Sequence, residues 1–189
     1  MKNNRPWLFR ILVLASVVLL LYSWFTPWWA GRIQELGGKG VVIHPWGLQV
    51  TDRHMLDYMP PEVNLAMPGW FAPVAWAYLG LIIAALSFSL FAKDKALDVW
   101  KVRFTLPSLI IGAVGLSYIV AIITAAAVIT VRLADADLPL IGRTFVTVGS
   151  DIGTGMVSTD LGLGSKLAAA AGLMLIVLAL LRDRITHIR

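Results

Sequence analysis

Four long apolar segments, at about 11–28, 70–91, 104–131 and 161–181, constrain this chain more than any other feature. A helix needs ~20 apolar residues to cross the hydrocarbon core of a bilayer. Each segment is near that length, and none contains Asp, Glu or His. The expected fold class is therefore an all-α integral membrane protein, a four-transmembrane-helix bundle. With 189 residues, the chain has room for one membrane domain (1–189) with modest loops. Only 14% of residues are charged, against roughly 25% in a soluble domain. That deficit follows from the cost of placing charge among lipid tails.

Charge placement predicts the topology. Lys2, Arg5 and Arg10 precede the first segment, Lys93, Lys95, Lys101 and Arg103 lie between the second and third, and Arg182, Arg184 and Arg189 end the chain. The other two connections, 30–69 and 132–160, are longer, hold fewer Lys and Arg, and carry eight of the eleven acidic residues. The positive-inside rule then puts both termini and the 92–103 loop in the cytoplasm and the two long loops outside a plasma or inner membrane. The net charge of +5 is explained by these flanks, so a nucleic-acid partner is not expected. The first segment has a basic start like a signal peptide, but Ser23-Trp24-Phe25-Thr26-Pro27-Trp28-Trp29 follows it. This is not a small-residue cleavage site, so an uncleaved span is expected. Trp24, Trp28, Trp29, Trp70 and Trp76 cluster at span ends, where indole rings anchor at headgroup level.

Packing within lipid relies on small side chains that let backbones approach. Ala113, Ser117, Ala121 and Ala125 recur every four residues in the third segment, Gly80 and Ala84 lie in the second, and Ala168 and Gly172 in the fourth. These residues are the expected packing positions. The first segment is mostly Leu and Val and is expected to be more lipid-exposed or to dock on a partner.

In the first long loop, Val41–His44 and Leu48–Thr51 read as strands around Pro45-Trp46-Gly47, a hairpin. Residues 52–58 read as a short helix capped by Asp52. Thr144–Val148 alternates like a strand, and Gly149–Gly164 reads as a connection. The expectation is a small extracytoplasmic sheet over the helix ends. Four spans, internal termini, a long first outer loop with Trp46-Gly47-Leu48 and an outer sheet together resemble the claudin-like topology. That family's paired loop cysteines are absent, since the chain has no Cys. The resemblance implies architecture only.

The absence of Cys excludes thiolate chemistry by this chain. No P-loop, G-x-S-x-G or H-E-x-x-H motif is present. His44, His54 and Asp52, with Asp57 nearby, offer imidazole and carboxylate groups of the kind that bind copper, zinc or iron. Their spacing matches no established metal motif. Asp135 and Asp137 read as a charged helix end. Lys166 reads as a cation at a span entrance, paired with Asp160 or a lipid phosphate. The leading expectation is a non-catalytic accessory subunit of a larger membrane complex, with other membrane subunits and lipids as partners and no cofactor beyond bound lipid. A small transporter or channel lined by Ser87, Ser89, Ser117, Tyr118 and Thr124 is one alternative. A metal or redox enzyme component built on His44 and His54 is the other.

Overall fold

The computed structural model describes residues 6–34, 37, 40–50, 67–92, 96–99, 102–134, 138–147 and 154–186. Its elements run α1 (Pro6–Phe25), β1 (Trp29–Ile33), β2 (Gly40–His44), β3 (Gly47–Val50), α2 (Phe71–Phe91), β4 (Ala96–Val99), β5 (Val102–Thr105), α3 (Leu106–Ala134), β6 (Gly142–Thr147), β7 (Thr154–Leu161) and α4 (Leu163–Thr186). All four helices are long and apolar enough to cross a membrane. The chain divides into two compact units.

The first unit comprises residues 1–22, 77–121 and 167–189. Its core is a set of stripes at helical spacing: Phe9, Val13, Ser16 and Leu20 from α1, Leu79, Ile82 and Leu86 from α2, Ile111, Val114 and Tyr118 from α3, and Ala168, Ala171, Leu175 and Leu178 from α4. Intervals of three and four keep each stripe on one face. Ser16 returns its hydroxyl to Leu12 O at 3.0 Å, so its burial leaves no unmet donor. The first span differs from its expectation. One third (33%) of its apolar window is buried, against 22% for α2 and for α3, because bulky side chains such as Val13 and Leu20 fill space in the core.

Gly115 and Gly172 let two helices approach closely. A Cβ on Gly115 would lie 2.8 Å from Gly172 O, and one on Gly172 would lie 2.9 Å from Ile119 Cδ1. Gly112 faces Ala179 in the same way, at 3.3 Å. Arg182, buried in this unit, donates to Thr105 Oγ1 and sits 5.3 Å from the centre of the Phe9 ring. β4 and β5 form an antiparallel hairpin where a plain loop is expected at 92–103.

The second unit comprises residues 23–76 and 122–166. It contains a five-stranded antiparallel sheet in the order β3-β2-β1-β7-β6. The expected hairpin and the expected strand near Thr144 are both present. They are joined through β1 and β7, two strands beyond those expected. One sheet face carries Trp29, Ile43 and Leu48, packed with Leu161, Met67, Leu138 and Leu140 against Ile129 and Leu133 of α3. Trp29 donates from Nε1 to Leu140 O at 3.0 Å, which lets a whole indole be buried.

Main-chain bonds secure the exit of α1. Trp28 N donates to Ile43 O at 2.8 Å, Gly162 N to Trp28 O at 2.9 Å, and Gly164 N to Pro27 O at 2.9 Å. Such contacts leave no room for side chains: a Cβ on Gly162 would run into Pro27 O, and one on Gly164 into Thr26 O. Backbone atoms cannot swing away as a flexible side chain can. Gly162→Ala is therefore expected to lower stability by about 2 kcal/mol or more, whereas Gly80→Ala, with open space around it, should change it by less than about 1 kcal/mol. Thermal melting of the two variants in mild detergent checks the contrast.

Candidate functional site

The strongest concentration of chemistry among the described residues lies in the second unit, where α1 ends and α2 begins. His44 is the last residue of β2. Successive strand residues point to opposite faces, so His44 lies on the face opposite Ile43 and the Trp29 core. On that face its imidazole stacks on Trp46, with centroids 4.8 Å apart and planes 14° apart. Trp46 in turn lies 6.4 Å from Trp76. Trp76 meets Trp24 edge-on at 6.1 Å and Phe25 at 6.0 Å. The Pro45-Trp46 turn between β2 and β3 carries Trp46 back beside His44, and the last turn of α1 supplies Trp24 and Phe25 together.

Burial decides the electrostatics. His44 is 6% exposed and Trp24 is 2% exposed. Burial pushes the His44 pKa below its usual 6.5, because the charged form loses water. Polar contacts with the Gln49 side chain and the Thr26 backbone oppose that shift without reversing it. His44 Nδ1, Trp24 Nε1 and Trp46 Nε1 are buried and have no hydrogen-bond partner. Trp28 differs, since its Nε1 donates to Ser23 O at 3.1 Å.

Other candidate residues fall as follows. Asp52, His54 and Asp57 lie within 51–66, outside the described residues, as do Asp135 and Asp137. Among the described residues no group of three or more His, Cys, Asp or Glu is placed to hold a metal. Asp160 pairs with Arg32 at 3.3 Å on the sheet surface, with both side chains about half exposed, a geometry worth at most about 1 kcal/mol. Lys166 is exposed in the first turn of α4. Ala113, Ser117, Gly80 and Ala84 are exposed, Ala121 and Ala125 half-buried, and Gly172 buried. Tyr78 and Ser117 share a hydrogen bond at 3.1 Å, and Ser89 donates to Leu86 O at 2.6 Å.

The aromatic cluster is what residue-by-residue reading misses. Trp24 and Trp76 look like lipid anchors, and His44 looks like a ligand in search of His54. A Trp two residues after a short strand ending in His, together with Trp at two span ends, was the available signal. No protein-family model matches this chain, and no curated protein matches it.

His44 gives a pH signature. Its folded pKa is depressed, so the unfolded chain takes up the proton first as pH falls. The stability this contributes is complete above about pH 6.5 and declines below it toward the folded pKa. Melting curves of wild type and His44→Gln from pH 7.5 to 5 are expected to differ in slope below about pH 6.5, with the wild type falling more steeply.

Proposed function

We propose that this chain is a non-catalytic accessory subunit of a larger membrane complex, packing against another subunit through α2 and α3 and capping that complex with its sheet. The observation that carries this reading is the division of small residues between used and unused faces. Gly115, Gly112 and Gly172 are consumed in packing inside the chain. Gly80 and Ala84 on α2, four apart, and Ala113 on α3 remain exposed, and a Cβ on Gly80 would meet nothing within 4 Å. Small residues on an open face permit the close backbone approach by which helices associate in lipid.

The sheet offers a second surface to the same partner. β6 is an edge strand with Phe145 exposed to 71%, and Ile141 just before it is exposed to 61%. An edge that displays unpaired main chain and large apolar side chains is a place where another chain adds or covers. In this reading the termini are cytoplasmic, by the distribution of Lys and Arg, and the sheet lies outside in a claudin-like plan. The chemistry of the complex would belong to the partner.

The test is gentle-detergent purification at native expression, followed by native mass spectrometry, for wild type, Gly80→Leu and Lys166→Ala. One partner in fixed ratio to the wild-type chain is expected. Gly80→Leu, whose surroundings are open, should reduce that partner at least roughly tenfold, which corresponds to 1.4 kcal/mol, and should leave the melting temperature of the chain itself unchanged. Lys166→Ala should retain the partner. A lone chain, or a homo-oligomer insensitive to Gly80→Leu, overturns the proposal.

A further inference from the structure

The three unpaired nitrogens of the aromatic cluster are not explained by a role in subunit packing. Buried polar groups are paired in roughly 90% or more of cases, and a buried donor left unmet costs about 1–3 kcal/mol. One such group is ordinary. Here Trp24 Nε1, His44 Nδ1 and Trp46 Nε1 all belong to a single run of touching rings, Trp24–Trp76–Trp46–His44. Trp24 and His44 are both more than nine-tenths buried.

The chemistry of these nitrogens defines what would satisfy them. An indole nitrogen only donates, so at least two of the three require an acceptor. The rings in contact are Trp24, Phe25, His44, Trp46 and Trp76, and none brings a fixed positive charge. An anion held by these rings alone would be desolvated without a counter-charge, at a cost of several kcal/mol. A neutral acceptor avoids that cost. The location points the same way. Trp24 is in the last turn of α1 and Trp76 in the second turn of α2, where spanning helices leave hydrocarbon for the interface. Trp76 is 44% exposed and touches both Trp24 and Trp46, so an amphiphile arriving from the bilayer meets it first.

We propose that Trp24, Trp46 and His44 form a binding site for the carbonyl oxygens of a membrane amphiphile, with the indole N–H groups as donors. Two sources carry that chemistry, the ester carbonyls of a glycerolipid and the ring carbonyls of a quinone. Flat rings suit the second, since Trp46 and Trp76 lie within 23° of parallel. The neutral imidazole donates from one nitrogen and accepts at the other, and the stacked His44 ring closes the site beside the two indole donors.

The experiment uses the full chain with ¹⁵N-labelled tryptophan in nanodiscs of three kinds: diester phosphatidylcholine, its diether analogue without carbonyls, and the diether analogue with a short-tailed benzoquinone. The readout is the indole N–H resonances, with Trp24→Phe and Trp46→Phe supplying the assignments. Downfield shifts of the Trp24 and Trp46 signals in diester relative to diether discs establish a glycerolipid ester as the ligand. Shifts that appear in diether discs only on titration with the quinone, and saturate, establish a quinone. In that case the double variant should bind at least tenfold more weakly while its remaining indole signals stay in place. Identical Trp24 and Trp46 signals in all three discs overturn the proposal. So does a shift seen only when a co-purified protein is present, which would assign the acceptor to a peptide carbonyl. The wild-type comparison decides even if the double variant does not fold.

Discussion

A helix end must find partners for its terminal backbone groups, and in this protein the segment after α1 does so through other main chains. Pro27 and Trp28 accept from Gly164 and Gly162, and Trp28 donates to Ile43. Three parts of the sequence far apart in order, the end of α1, the end of β2 and the start of α4, are thereby fixed to one another by groups that no side-chain substitution can replace. The sheet register follows from this point. Trp29 pairs with Ile43 on one side and with Leu161 on the other, so the same residue that starts the sheet also sets its two central neighbours. Trp29 then fills the core beneath, with its indole N–H met by Leu140 O.

The helices were legible because the signal for them is long and redundant. Twenty apolar residues leave little ambiguity about type, and the ends fall within a few residues of expectation at α2, α3 and α4. The hairpin around Pro45-Trp46-Gly47 was legible from its turn and its β-branched Val and Ile residues. β1 was not, because Trp29-Ala30-Gly31-Arg32-Ile33 has weak strand propensity and abuts a span, where Trp reads as an anchor. β7, Thr154–Leu161, looked like a linker because Gly and Thr dominate its start. Its strand character comes from pairing on both sides, with β1 and β6, which is a tertiary effect that overrides local preference. His44 was visible as a residue of interest, but its environment was not. Only the fold shows that it is buried and stacks on Trp46.

The small residues illustrate a related limit. A sequence shows that Ala113 and Ser117 share one stripe of α3 and that Gly112 and Gly115 lie beside it. It does not show which stripe turns inward. The structure turns Gly115 toward Gly172 and leaves Ala113 exposed. Neighbouring positions differ by about 100°, so two positions put Ala113 on the far side of the helix from Gly115, and that choice separates an internal contact from a surface.

The interleaving of the sheet has a consequence for biogenesis. β1, β2 and β3 come from the connection after α1, whereas β6 and β7 come from the connection after α3, yet β7 sits between β1 and β6. During synthesis from the N-terminus, β1 emerges with one neighbour and waits for the other until most of the chain has been made. Over that interval its free edge and the apolar residues on its covered face stand open. The sheet therefore cannot close until the connection after α3 has been made.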